Sequence, residues 1–585
     1  MATSENSLLL ILVICSVNNI LGEVIVNTKS GKINGKEVQS IIPDKKYFSF
    51  LSIPYALPPI GKLRFKPPHR HPGWEDVLEA KKERKHCAQY NSPTRHIKKY
   101  GFCGDEDCLH LSIHTPKLPH NRELHLPVIV FLYNELFKVS LNATKDYGPD
   151  FIMNEDVILV TINHRLSVLG FASFGDEILP GNNGIKDVVV ALKWLKDNII
   201  SFGGDPSRIT LMGNSGGATI VDILLHSSKA KGLFSAAILQ SSSSFDPLYF
   251  DENHKQYAIA LTEALEDKAT TSSSFIERLS EISAYKIADK EHFVIHVDVP
   301  RALQRETVPF GPVIEIEHDD AIITKLPENN PIDIKIPVMI GFNSRHSIEM
   351  SARYLYSSQF LTYAEKDFVV VFPKRVNYHF QINDEIYFKA LQEIKDFYFE
   401  EGYVKTSKPG EFLTYMNDMV HFYHINYAVQ TYTNTSSMPV YYYMFDYSGE
   451  LNFRKNSIMA DTTNFDGTWG ASAGDELCYL FVCNPWRKQY KKLLGSNEDL
   501  EEIKVLKTMV KMVTDFAKTG NPTPPGSVFT WKPATLENRE CLIISDELKM
   551  VSKLYDNRIK FWDNFIEKYE KLAVNGVVKD THDEL

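Results

Sequence analysis

Short, continuous apolar runs alternate along this chain with longer segments of mixed polarity. The runs lie at 127–132, 157–162, 209–212, 236–239, 336–341 and 439–445. Runs of this kind are typical of strands covered on both faces of a parallel sheet, where no side of the strand meets water. Between two of them, 187–200 has apolar residues on one side at helical spacing. The alternation predicts an α/β fold with a central, mostly parallel sheet flanked by helices.

Two charged, helix-prone stretches, 251–300 and 350–430, interrupt this alternation. We expect helical insertions over the carboxyl edge of the sheet and not separate domains. The last helix is predicted over 556–572. The expected organisation is one domain over 23–572, preceded by a segment 1–22 and followed by a solvent-exposed tail 573–585.

The apolar run at 209–212 leads into Gly213-Asn214-Ser215-Gly216-Gly217, and a second apolar segment with helical potential follows. Strand, Gly-x-Ser-x-Gly turn and helix form the pattern of a nucleophile elbow, which presents a serine hydroxyl at the end of a sheet. The glycines allow the close backbone contacts and strained dihedrals of such a turn. Ser215 is therefore the candidate nucleophile.

Both ends of the sequence carry targeting patterns. The apolar run Leu8 to Val17 is too short for a membrane span and predicts a secretory signal peptide over 1–22. The last four residues, His582-Asp583-Glu584-Leu585, match an ER-retrieval signal. We expect a protein of the ER lumen with the retrieval receptor as a partner and no membrane-spanning helix.

The net charge limits the class of partner, and the cysteines limit the possible disulfides. The formal net charge of −10, spread over the chain, argues against nucleic acid or an anionic membrane as the main partner. An oxidising lumen permits disulfides. Cys87 has two candidate partners, Cys103 and Cys108, and three later cysteines are candidate free thiols. These three are Cys478, Cys483 and Cys541.

The remaining sequence signals are modest. Asn142 and Asn434 each begin an Asn-x-Ser/Thr sequon and are candidate glycosylation sites in the secretory pathway. The cysteines show no zinc-type spacing, and we expect neither a metal nor a cofactor.

A set of family motifs extends over nearly the whole chain after the signal. They are Ile53-Pro54-Tyr55-Ala56, Glu106-Asp107-Cys108-Leu109, Asn163-His164-Arg165-Leu166, Gly181-Asn182-Asn183-Gly184, Phe202-Gly203-Gly204-Asp205-Pro206 and Gly520-Asn521-Pro522. Through them the chain resembles the type-B carboxylesterase/cholinesterase family of α/β-hydrolases, and the insect carboxylesterases in particular. The resemblance implies an α/β-hydrolase fold, hydrolysis of carboxylic esters by a serine, a histidine and an acid, and a disulfide between Cys87 and Cys108.

The resemblance also shows that this catalytic set is incomplete. The nucleophile position is kept as Ser215, whereas the histidine position falls on Ala473 and the acid position on His346. A methyl group cannot accept a proton, and loss of the histidine alone costs about 10⁶-fold in turnover in a comparable serine hydrolase. His346 is expected to be a solvated or hydrogen-bonded residue, one side chain too far from Ser215 to act as its base.

The oxyanion loop differs as well. Where the family has consecutive glycines, this chain has Asn134 and Glu135, while Gly216 still offers its backbone N–H. Side chains at these positions restrict the turn, and a carboxylate at Glu135 would repel a developing oxyanion. One missing oxyanion donor typically costs about 10²–10³-fold.

Three hypotheses follow. The first is a catalytically inactive carboxylesterase-like protein of the ER lumen that binds an apolar or ester-like small molecule, or a secretory protein. The alternative is an active carboxylic ester hydrolase with a triad rebuilt around Ser215, using Asp475, Glu476 or His346 as the base. A cell-adhesion ectodomain is a third class, and the expected lack of a membrane span together with the C-terminal signal argues against it.

Overall fold

The structure is a computed structural model. It describes residues 23–91, 101–119, 124–140, 146–296, 298–305, 307–357, 359–462, 465–495 and 500–580. The predicted signal peptide, the sequon at Asn142 and the predicted retrieval signal lie outside the described residues.

Twenty strands are present in the described part of the chain. They are β1 Val24–Thr28, β2 Gly31–Gln39, β3 Lys46–Pro54, β4 Leu78–Glu79, β5 Gln89–Asn91, β6 Gly101–Cys103, β7 His110–Thr115, β8 Leu126–Asn134, β9 Tyr147–Gly148, β10 Ile158–Ile162, β11 Gly204–Ser215, β12 Ala236–Gln240, β13 Val338–Asn343, β14 His379–Phe380, β15 Val440–Phe445, β16 Val482–Cys483, β17 Cys541–Ile544, β18 Leu548–Val551, β19 Ala573–Val574 and β20 Val577–Val578. Most of them join one large sheet.

The large sheet has the order β1-β2-β3-β7-β10-β8-β11-β12-β13-β15-β17-β18, with β4 beside β2. The seven strands from β10 to β17 run parallel, and antiparallel strands close both edges. Successive residues of β8 belong to two different cores, with Val128 and Val130 in one and Ile129 and Phe131 in the other. The predicted parallel sheet with both faces covered is therefore confirmed.

The sheet is flanked by helices on both faces. In the described residues these are α1 Asp150–Met153, α2 Ser167–Phe171, α3 Asn183–Asn198, α4 Gly216–Leu225, α5 His254–Ala264, α6 Ser272–Ser280, α7 Ala284–Lys290, α8 Val299–Leu303, α9 Ala352–Tyr356, α10 Gln359–Lys366, α11 Glu385–Tyr398, α12 Pro409–Asn417, α13 Tyr423–Thr435, α14 Phe453–Met459, α15 Arg487–Leu494, α16 Glu501–Thr519 and α17 Asp556–Glu570. Of the helices described, none is both long and apolar enough to cross a bilayer.

The helices of 251–300 and 350–430 are present, with one difference from the expectation. α13, at the end of the second stretch, packs on β13 and β15. It therefore serves as a crossover helix between two parallel strands, and only the preceding helices are an insertion. A π-helical turn, Asp418–Phe422, joins α12 to α13.

Two disulfides join four of the cysteines discussed above. Cys87 pairs with Cys108, with a Cα–Cα distance of 4.9 Å, which is the pairing the resemblance implies. The prediction of free thiols at Cys478 and Cys483 is wrong, because these two form a second disulfide with a Cα–Cα distance of 5.3 Å. The five-residue separation gave no signal of a bond, and the short 3₁₀ helix Asp475–Tyr479 brings the two side chains together. Disulfides are typical of proteins that fold in an oxidising compartment.

The start of the predicted tail is part of the folded domain. β19 and β20 form a hairpin that pairs with β14, and Val578 is completely buried. The prediction that residues from 573 onward form a solvent-exposed tail is therefore wrong at least as far as Val578. Within the hairpin only Val578 is fully buried, whereas Val574 is 45% exposed.

Candidate active site

The carboxyl ends of three parallel strands, β8, β11 and β13, bring the candidate residues to one edge of the sheet. β11 ends at Ser215, which lies opposite Asn134, the last residue of β8. His346 lies three residues beyond the end of β13. The edge of the sheet thus collects residues that are far apart in the sequence.

Ser215 has the backbone of a nucleophile elbow. Its φ of 53° and ψ of −128° place a non-glycine residue in a strained region, between β11 and α4. A Cβ on Gly213 would lie 2.2 Å from the Gly217 carbonyl oxygen, and one on Gly217 would lie 2.3 Å from that of Leu132. The two flanking glycines are required because the backbone turns back on itself at this point.

Among the residues that the structure describes, none is bound to the Ser215 hydroxyl as a base. Ala473, in the histidine position, is nearly buried and offers only a methyl group. Within the described ranges, no side chain makes a hydrogen bond with the Ser215 hydroxyl. A serine hydroxyl needs an acceptor within about 3.2 Å to lose its proton during attack.

The two carboxylates that follow Ala473 are held by other groups. Glu476 accepts a hydrogen bond of 2.7 Å from the Asn214 side chain and a second from Asn343. Asp475 accepts hydrogen bonds from the backbone N–H groups of Ser472 and Arg454, at 2.8 and 3.0 Å. Burial raises the pKa of Asp475 to about 7, and these backbone hydrogen bonds oppose that rise. Both carboxylates therefore fix the loop around Ala473 by hydrogen bonds, and Glu476 joins it to the elbow.

His346 occupies the acid position in an unexpected environment. Its ring is buried, and its centroid lies 3.5 Å from that of His421, which the π-helical turn contributes. His346 Nδ1 and both ring nitrogens of His421 find no hydrogen-bond partner among the residues described. Burial lowers the pKa of His346 to about 3 and that of His421 well below its usual value, so both rings are neutral. The insertion covers His346, so its ring is buried against a second imidazole.

The side chain of Asn134 fills space beside the elbow. Its Oδ1 accepts a hydrogen bond of 2.9 Å from the Phe137 N–H, and its Nδ2 lies 3.4 Å from His164 Nε2. A Cβ on Gly216 would lie only 2.0 Å from Asn134 Oδ1. The glycine at 216 therefore accommodates the asparagine at 134, and the amide lies against the residue whose N–H would serve an oxyanion.

Glu135 is engaged through both its backbone and its side chain. Its N–H donates to the Val139 carbonyl oxygen at 2.7 Å, which removes a backbone donor from the oxyanion loop. Its carboxylate pairs with the Arg454 guanidinium, which also binds Tyr133 and contacts Glu349 at 2.9 Å. Arg454, Tyr133, Glu135 and Glu349 are called the Arg454 cluster below. The expected repulsion by Glu135 is offset, since Arg454 compensates its charge.

The Arg454 cluster also lies beside Ala473, the predicted position of the base. A Cβ on Gly474, the residue after Ala473, would be 3.3 Å from Arg454 Nε. The guanidinium therefore connects the altered oxyanion loop, the segment after His346 and the altered histidine loop. Sequence reasoning missed Arg454, Glu349 and His421, because no local motif marks them.

Other candidate features lie away from Ser215. Asn434 is exposed in the last turn of α13, where a glycosyltransferase could reach it. The described residues contain no group of three or more histidine, cysteine or acidic side chains arranged to hold a metal. Two larger cavities are present, one of about 1020 Å³ along α16 and one of about 210 Å³ beside the π-helical turn. Neither is lined by Ser215.

Comparison with known proteins gives one consistent result. The sequence model of the carboxylesterase family matches residues 22–562. Esterase FE4 of Myzus persicae is 32% identical over 517 residues, which cover 87% of this chain and 86% of the relative. Juvenile hormone esterase of Tribolium castaneum is 30% identical over 537 residues, covering 89% and 88%. The crystal structure of juvenile hormone esterase from Manduca sexta, with OTFP covalently attached, superimposes with a TM-score of 0.74 at 26% identity, covering 93% of this chain and 100% of that one.

Proposed function

Because the chain belongs to the carboxylesterase family, we propose that it is a member without ester hydrolase activity, which binds a ligand or a partner protein. The observation that carries the proposal is the lack of any base hydrogen-bonded to Ser215 among the residues described. The elbow and the scaffold are kept, so the protein retains the architecture of the family.

The energetic argument rests on the proton of the nucleophile. Without an imidazole the serine must attack as a neutral hydroxyl, and removal of that base alone costs about 10⁶-fold in a comparable enzyme. A blocked oxyanion hole costs about 10²–10³-fold, but these losses do not add, because the groups act as a unit. The missing base alone is sufficient to account for a loss of turnover. The contacts of Asn134 and of the Arg454 cluster add a second obstacle, because they occupy the oxyanion loop.

The test is ester hydrolysis by the purified full chain. Wild type and Ser215→Ala are expected to hydrolyse p-nitrophenyl acetate at the same rate, because Ser215 contributes no activated nucleophile. A fluorophosphonate probe is expected to leave both proteins unlabelled, with an active serine esterase as the positive control. Serine-dependent turnover well above the variant, or rapid labelling of wild type only, would overturn the proposal.

The alternative is an active ester hydrolase with a rebuilt base. It requires Asp475, Glu476 or His346 to reach the Ser215 hydroxyl. The bonds that Glu476 makes to Asn214 and Asn343, and the packing of His346 on His421, support the inactive protein instead. The same assay distinguishes the two hypotheses.

The ligand and the compartment extend the proposal. Relatives bear the name juvenile hormone esterase, which favours an apolar, ester-like small molecule, and a secretory protein is the other candidate partner. The disulfides and the sequence motif His582-Asp583-Glu584-Leu585 support residence in the ER lumen through the retrieval receptor.

Location can be tested in secretory cells with a full-length chain carrying an internal tag. Deletion of the last four residues is expected to move the protein from microsomes into the medium, because the receptor reads this motif. Replacing the motif by four alanines controls for the change in length. Retention that survives both changes would contradict a retrieval mechanism, and pull-down from microsomes then tests for a bound secretory protein.

A further inference from the structure

We propose that the cavity of about 210 Å³ beside the π-helical turn is a binding site for a small, apolar primary amine in its protonated form. The inference does not depend on whether Ser215 reacts, because Ser215 is not among the residues that line this cavity. It rests on the aromatic wall and on one buried carboxylate.

The wall of the cavity is aromatic and contains thioethers. Tyr354 and Phe412 pack edge to face with ring centroids 4.9 Å apart, and Phe368 and Tyr415 lie 5.0 Å apart. Met416 and Met419 add flexible, polarisable surface. A volume of about 210 Å³ equals roughly seven water molecules, which suits one ring with a short side chain.

Asp246 lies on this wall as a buried carboxylate. Only 2% of the residue is exposed, and its carboxylate accepts hydrogen bonds from the Leu248 N–H at 3.0 Å and the Ser242 hydroxyl at 3.3 Å. In the described part of the chain, no lysine or arginine nitrogen lies within 4 Å of this carboxylate. A carboxylate has about four acceptor positions, so it can still receive an N–H donor.

The neighbours of Asp246 offset its charge only in part, since His424 and Arg375 lower its pKa against the larger effect of burial. His424 Nε2 is 3.5 Å away, but burial lowers the pKa of His424, and this nitrogen donates to the Val420 carbonyl oxygen at 2.9 Å. Arg375 binds the backbone carbonyl of Asp246 and pairs through its side chain with Glu328. An isolated buried carboxylate is costly, and burial raises the pKa of Asp246 accordingly.

These features select the charge of the ligand. An ammonium group would pair with Asp246, and the aromatic wall would add cation–π attraction. An organic anion would meet the buried Asp246 carboxylate, whereas Asp367, the other acidic side chain on the wall, is exposed and lies 3.5 Å from Arg301. A neutral molecule of the same shape would gain the apolar contacts without the ion pair.

The experiment compares three probes of matched shape by isothermal titration calorimetry with the full chain near neutral pH. Phenethylamine is expected to bind at least tenfold more tightly than 2-phenylethanol, and phenylacetate is expected not to bind. In Asp246→Asn, which keeps the side-chain shape, the affinity for the amine should fall to that of the alcohol. Equal affinities for amine and alcohol, or an unchanged amine affinity in this variant, would overturn the proposal.

Two further variants locate the site. Met416→Trp should fill the cavity and abolish binding of both the amine and the alcohol, with circular dichroism verifying the fold. Ser215→Ala should bind the amine like wild type, which separates this site from any ligand at the elbow. Loss of amine binding in Ser215→Ala, or full binding in Met416→Trp, would place the amine elsewhere and contradict the proposal.

Discussion

Acidification from pH 6.5 to pH 4.5 is expected to lower the free energy of unfolding by about 2 kcal/mol through His346, and His421 acts in the same direction. In the folded protein, burial lowers the pKa of His346 to about 3 from its usual 6.5, and that of His421 also falls well below 6.5. The unfolded chain therefore binds more protons below pH 6.5, so stability is present above this pH and is lost as the pH falls. Each neutral buried histidine contributes at most about 1.4 kcal/mol per pH unit in this window.

Urea denaturation at several pH values between 6.5 and 4.5 measures this effect. The His346→Phe/His421→Phe double variant keeps two rings but cannot take up protons, so its stability should fall less steeply than that of wild type. Carboxylates contribute equally to both proteins, and the difference between the slopes isolates the histidines. His379→Gln, at an exposed histidine, is the matched control. A double variant as acid-sensitive as wild type would contradict this account of the pair.

Replacement of Arg454 by methionine is expected to lower the free energy of unfolding by about 3 kcal/mol. Arg454 is the cation for two carboxylates, Glu135 and Glu349, and its side chain is only 11% exposed. Removing one partner of a buried ion pair costs about 3–5 kcal/mol, because the remaining charge stays poorly solvated. We expect the lower end of this range, because the side chains of Glu135 and Glu349 are 31% and 23% exposed and water still reaches them.

The double replacement of the partners provides the rescue. Glu135→Gln and Glu349→Gln, added to Arg454→Met, should recover most of the loss, because no charge is then left unpaired. Lys405→Met, which breaks the exposed pair with Glu401, should change stability little. Thermal and urea unfolding measure all of these variants. If Arg454→Met lowered the free energy of unfolding no more than Lys405→Met, the Arg454 cluster would stabilise the protein no more than an exposed ion pair does.

Much of the fold could be read from the chain without coordinates. Strands covered on both faces must be apolar at every position, so the runs that became β8, β10, β11, β12, β13 and β15 were visible as such. The elbow was visible because a tight turn with close backbone contacts requires glycine at fixed spacing around Ser215. The absence of a base at Ala473 was equally local, since flanking residues fixed its register in a family motif.

Contacts between distant parts of the chain were a different matter. The boundary of the folded domain at Val578, the Cys478–Cys483 bond and the packing of His346 on His421 left no mark in local spacing. Arg454 reaches Glu135 across 319 positions and Glu349 across 105. Charged residues of this kind look like solvated surface in a sequence, because hydropathy does not say which of them will meet.

The sequence by itself determined the sheet and the elbow and predicted an alanine at the position of the general base, because each depends on residue type within a few neighbouring positions. Only the tertiary structure decided what occupies the altered site. Folding brings the ends of parallel strands to one edge, and there Asn134 fills the space left by Gly216 while Arg454 compensates Glu135. Burial, which arises from the whole fold, then lowers the pKa of His346 and raises that of Asp246.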